Sequence, residues 1–123
     1  MSNYSQYIQG LKKRVKNERQ KEEILYNKLN REVRSAIKDF AKKFNLKRVY
    51  LFGSLVRKEN FHKNSDIDLA VEGLKSEKYL QAWGELEEAL NHPFDLVQIE
   101  KATGTLKEII KNEGVIIYED KKC

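Results

Sequence analysis

From Tyr7 to Phe44 the chain has no proline and, after Gly10, no glycine, while strong helix formers dominate. Glycine and proline are the residues that interrupt helices, so a stretch this long without them leaves little but helix open to it. Within it Leu25, Leu29, Val33, Ile37, Phe40 and Phe44 recur at intervals of three and four. That spacing sets them on one side of a helix and turns that side toward a core. Asn45 follows the last of them and makes a fitting end. Lys12 to Glu23 has only Val15 to bury, so this part is expected either to project into solvent as a charged helix or to rest on another protein. The pattern does not decide whether it forms one helix with the segment after it.

Beyond Asn45 the texture changes to short apolar runs separated by turns and helices. Arg48 to Phe52, Ile67 to Val71, Phe94 to Ile99 and Val115 to Tyr118 read as four strands. A helix is expected from about Ser76 to Leu90, with Ser76 as N-cap and Glu77 in the first turn. Another follows Ile99, in which Thr105 and Glu108 have capping-box spacing and Gly114 is placed to end it. The fold class is therefore α/β or α+β, a small mixed β-sheet packed with helices. The expected division is a helical segment over residues 1–45 and a core over 46–123, within one structural domain.

With 123 residues, the chain has room for one compact core but not for a second, substrate-binding domain. No run approaches the roughly 18 apolar residues of a membrane span, and Met1 to Gly10 lack the charged-then-apolar order of a secretory signal. The expectation is a soluble chain with a cytoplasmic home. Cys123, the only cysteine, excludes an intramolecular disulfide or a cysteine-based metal cluster and reads as incidental. The net charge is +5, but it is unevenly placed. Residues 1–48 carry 14 Lys and Arg against five Asp and Glu, and residues 49–123 carry 10 against 14. A uniformly basic nucleic-acid domain would not look like that.

The acidic half holds the residues of chemical interest. In Asp66-Ile67-Asp68-Leu69 the two-residue period of a strand sends both carboxylates to one face and the apolar pair to the other. Like charges held that close are unfavourable unless one is protonated or a cation lies between them. Such an oxygen-lined pair suits Mg²⁺, which takes one or two carboxylates and fills its shell with water and substrate phosphates. On its own an Asp-x-Asp is more often a solvated strand edge. Asp95, in Phe94-Asp95-Leu96-Val97, repeats the arrangement, although an Asp after Pro93 is commonly a turn residue; if the two strands are neighbours, three carboxylates converge. Leu51-Phe52-Gly53-Ser54 is a strand ending in a Gly-Ser turn that leads into a short helix. Glycine lets backbone approach a ligand, serine supplies a hydroxyl, and amides at a helix start favour phosphate. Gly-Ser alone is also an ordinary turn. His62 and His92 read as loop residues near turns.

Gly53-Ser54, eleven intervening residues, Asp66-Ile67-Asp68, and Asp95 on a later strand together resemble the signature of the DNA polymerase beta-like nucleotidyltransferase superfamily. The resemblance spans about Arg48 to Ile99. The short chain is similar to the minimal nucleotidyltransferase branch, the antitoxins of HEPN-domain toxins. The resemblance implies that Asp66 and Asp68 bind divalent ions, that Asp95 completes the second ion's site and helps activate the acceptor, and that Gly53 and Ser54 hold the triphosphate. It further implies Mg²⁺, two ions, with Mn²⁺ an alternative, and ATP as the donor of AMP. The implied partner is a cognate HEPN toxin, held in a hetero-oligomer and modified on a tyrosine. Arg57 falls where the branch carries Arg followed by Gly; it could steady phosphates, but Lys58 stands in place of that Gly, which leaves the loop after Ser54 open. Ser65 could bond a carboxylate or the nucleotide, or cap the turn, with the turn favoured.

Three other readings stand beside this one. The same chemistry could serve a small-molecule or RNA hydroxyl, although enzymes of that kind carry an extra domain. The chain could block a partner by binding alone. The basic N-terminal helix could touch nucleic acid, but it lacks interleaved aromatics for stacking, and the acidic half would repel a phosphate backbone.

Overall fold

A computed structural model describes residues 2–121; Cys123 lies outside the described residues. The first element is one continuous helix, α1 (Ser2–Lys43), which settles the question left open over Lys12 to Glu23. Asn45 takes the left-handed conformation, φ 53°, that commonly ends a helix. The chain then turns back along β1 (Arg48–Phe52), with the Leu46 amide bonded to the Ala41 carbonyl. After a loop come β2 (Ile67–Glu72), α2 (Tyr79–Leu90), β3 (Phe94–Gln98), α3 (Gly104–Glu113) and β4 (Val115–Glu119).

The four strands form one mixed sheet in the order β3-β2-β1-β4. β1 is antiparallel to β2 and β4, whereas β2 and β3 run parallel. One face of the sheet is packed against the second half of α1 and against α2. Leu29, Val33, Ile37 and Phe40 meet Val49, Leu51, Leu69, Val71 and Leu96 there, all buried. The other face is covered more thinly, by α3, whose buried Ile110 packs with Tyr50, Ala70 and Ile99. No helix among the described residues is long and apolar enough to cross a membrane.

Two expected caps move. Ser76 opens a 3₁₀ turn (Ser76–Lys78), and α2 starts after it with no side-chain cap. At α3 the N-cap is Thr103, whose hydroxyl accepts from the Leu106 amide, two residues before the expected Thr105. A capping hydroxyl needs extended backbone at its own residue, and Thr103 has it, with ψ 159°.

Candidate active site

The end of β1 turns sharply because Gly53 adopts φ +76°, a conformation side chains resist. A second reason requires glycine here: a Cβ on Gly53 would overlap the Asp68 carboxylate. From Gly53 the chain enters a 3₁₀ turn, Gly53–Val56, anchored by the buried Leu55. Two groups of α1 grip this turn. The Tyr26 hydroxyl donates to the Val56 carbonyl and the Asn30 amide to the Leu55 carbonyl, both at 3.4 Å. Ser54 is half-buried beside Gly53.

Asp68 lies opposite Phe52 in the antiparallel pairing with β1 and opposite Asp95 in the parallel pairing with β2's other neighbour, β3. Residues in register share a face, so Asp68 and Asp95 both stand on the α3 side of the sheet, where Ala70 and Val97 continue their rows. α3 covers those later positions and leaves the strand ends open. Asp66, just before β2, is exposed, as is Asp95, whereas Asp68 is half-buried. Burial, then Asp95, then Asp66 push the Asp68 carboxyl up to about 6. The charges of all three aspartates therefore meet at Asp68.

Among the described residues no group of three or more His, Cys, Asp or Glu side chains is gathered closely enough to hold a metal ion by itself. The donor chemistry still fits a hard cation, since the convergent groups are all carboxylates and Asp68 makes no ion pair with a Lys or Arg among the described residues. Mg²⁺ is commonly bound by one or two carboxylates plus substrate phosphates rather than by a closed protein cage. The arrangement is of that open kind, and Asp66, Asp68 and Asp95 are the residues that would hold such an ion.

The remaining expected residues are placed differently. The Ser65 hydroxyl accepts from the His62 amide at 2.9 Å, and the Ser65 amide donates to the His62 carbonyl, so Ser65 closes the turn before the acidic pair. Arg57 is exposed on extended backbone and makes no ion pair among the described residues. Neither is drawn to the carboxylates by a described contact. His62 is an exposed loop residue, 4.0 Å from the Glu22 carboxylate.

Two residues to which sequence reasoning gave no part in the site, His92 read as a loop residue and Tyr79 not remarked on, help shape it. His92 is half-buried, with Nε2 2.9 Å from the Ser65 carbonyl. Together with the Ile67 amide donating to the Pro93 carbonyl at 3.0 Å, it ties the loop before β2 to the loop before β3. The Tyr79 hydroxyl, at the start of α2, donates to the Leu96 carbonyl at 2.6 Å and so closes part of β3's outer edge next to Asp95. Burial, then Asp95, raise its phenol. The signal for both lies in contacts across the fold, which local pattern does not carry.

Residues 35–122 match the family described as Polymerase beta, Nucleotidyltransferase. No curated protein matches. Among solved structures, the chain is similar to one of a toxin-antitoxin with AMP-PNP, at 26% identity and TM-score 0.62, over 72% of this chain and 75% of that one. It is also similar to a chain of the toxin-antitoxin MntA-HepT, at 24% identity and TM-score 0.56, over 72% of each. A third is a tri-AMPylated Shewanella oneidensis HEPN toxin in complex with MNT antitoxin, at 23% identity and TM-score 0.54, over 79% of this chain and 75% of that one. The last two likenesses speak for the fold. The family match covers the whole sheet, including the Gly53 turn and all three aspartates, and the chain belongs to the polymerase beta nucleotidyltransferase family.

Proposed function

We propose that this nucleotidyltransferase moves AMP from ATP onto a tyrosine hydroxyl of a partner HEPN protein, and that the transfer neutralises that partner as an antitoxin would. The observation that carries the reading is the meeting of Asp68 and Asp95 in register on an open face, against the glycine turn at Gly53. The similar structures, one with AMP-PNP and one with a tri-AMPylated toxin, support the choice of nucleotide and acceptor.

In this reading Asp66, Asp68 and Asp95 hold two Mg²⁺ ions, or Mn²⁺ in their place. Bound there, the ions would neutralise the charge of the phosphates. The backbone at Gly53 and the Ser54 hydroxyl hold the triphosphate. The acceptor's phenolic oxygen bonds to the α-phosphorus, the bond between the α- and β-phosphates breaks, and pyrophosphate departs. Asp95, the more exposed of the register pair, accepts the phenolic proton. Such transfer depends mainly on positioning and charge neutralisation, so no His or Cys nucleophile is required.

Intact-mass analysis of the protein encoded beside this chain, after incubation with the chain, ATP and Mg²⁺, tests the proposal. The expected result is a gain of one or more AMP units, lowered about a thousand-fold in rate by Asp66→Asn with Asp68→Asn. A stable complex without any mass gain would replace it with neutralisation by binding alone.

A further inference from the structure

The first half of α1 extends past the body of the protein at the end of the sheet where the carboxylates stand. Contacts of residues 22–30 fix that direction. The His62 ring lies 4.0 Å from the Glu22 carboxylate, Lys58 pairs with Glu23 at 2.5 Å, and Tyr26 and Asn30 bond to the Gly53–Val56 turn. Residues 4–21 therefore overhang the exit of β1. At 1.5 Å per residue, residues 4–21 reach about 25 Å beyond it.

The overhang has a defined inner face. At 3.6 residues per turn, positions eighteen apart stand at the same angle around a helix. Leu11 and Val15 thus face the same way as Leu29 and Val33, which are buried in the main core, and Ile8 faces the same way as Tyr26. Yet Leu11 is 39% and Val15 53% exposed, with Tyr4 and Tyr7 further along also open. The side of α1 that covers the sheet continues outward with nothing on it. Around this stripe stand Lys12, Lys13, Arg14, Lys16, Arg19 and Lys21, all exposed and without an ion pair among the described residues. The family match spans residues 35–122, so the arm lies outside the matched catalytic fold.

We propose that residues 4–21 are a docking arm for the acceptor protein, and that the arm takes an apolar helical surface rimmed by Asp and Glu. The apolar residues repeat at helical spacing, which suits a helix laid alongside. Identical arms of two copies would bring unpaired cations together, which disfavours a second copy. A nucleic-acid backbone would leave the Ile8-Leu11-Val15 stripe unused and would approach an acidic strand end. An acidic-rimmed protein surface satisfies stripe and charges together. Held there, it lies at the same end of the molecule as Asp68 and Asp95. The proposal rests on the acceptor being a protein, as in the function proposed above.

The test uses the full chain and the purified HEPN protein taken as acceptor in the function proposed above. Two double variants, Leu11→Asp with Val15→Asp and Lys12→Glu with Arg19→Glu, alter exposed positions only, and thermal melts check that each stays folded. Dissociation constants are measured by titration calorimetry, and AMP transfer is followed against HEPN protein concentration. The expected result is a Kd and KM about ten-fold or more higher in both variants, with kcat at saturation unchanged. Unchanged Kd and KM would overturn the arm, as would wild-type chain that does not bind the HEPN protein. So would variants that lose self-association or affinity for a short RNA while holding the HEPN protein as tightly as before. Wild-type chain that binds but transfers no AMP would overturn the adenylylation, while the Kd of the variants would still decide the arm.

Discussion

Between the ordinary carboxylate value of 3.8 and about 6, Asp68 keeps a proton in the folded chain that an unfolded chain has released. Since the native state binds more protons across that window, its stability rises as pH falls from 7 toward 4. Thermal melts of the metal-free protein between pH 4 and 7.5 should show this contribution, and Asp68→Asn should remove it and raise the melting point at neutral pH. A melting point of Asp68→Asn no higher than wild type at pH 7 would mean the carboxylate is not strained. Gly53→Ala carries the opposite sign. Its Cβ overlaps Asp68 and its φ is wrong for alanine, so it should cost about 1–3 kcal/mol in denaturant unfolding and most of the activity. At this scale much could be read from the sequence. The alternation in Asp66-Ile67-Asp68 and the glycine that ends an apolar strand are local patterns. The anchoring contacts of Tyr79 and His92 were not legible, because each meets a carbonyl 17 or 27 residues away.

The elements follow the same division. All four strands appear within a residue or so of where β-branched and aromatic runs placed them, since each is bounded by turn residues. Helix starts were less legible. Thr103 and Thr105 both offer a hydroxyl, and only the backbone conformation at Thr103 decides between them. Whether α1 runs unbroken was undecidable from spacing, because Lys12 to Glu23 has only Val15 to bury and so leaves the join between the two halves without a periodic trace. The two halves should respond differently to truncation of a side chain. Ile37→Ala removes a fully buried residue and should cost about 2–5 kcal/mol. Val15→Ala, on the overhang, should change stability by less than about 0.5 kcal/mol. Matched urea titrations of the two variants check the contrast, and a large loss at Val15 would mean that the arm folds back on the body.

For the whole molecule, composition and pattern gave the mixed sheet and its helices but not the strand order. Strand order depends on pairings between distant segments, such as β1 with β4, that no window of sequence contains. The uneven charge, by contrast, was visible at once and maps onto a basic projecting arm and an acidic strand end. Because residues 11–20 are all exposed, removing residues 2–20 should leave the body intact and shift the melting temperature by no more than about 2–4 °C in calorimetry. The parallel register of β2 and β3 has a further consequence. Backbone hydrogen bonds, not side chains, set the gauge between Asp68 and Asp95, at a strand spacing of about 4.8 Å. A slip of β3 by a single residue would turn Asp95 to the opposite face while leaving most of the sheet's hydrogen bonds in place. The same slip would carry the buried Leu96 out of the core and Asp95 into it, so the packing that holds the fold together also keeps the two carboxylates in line.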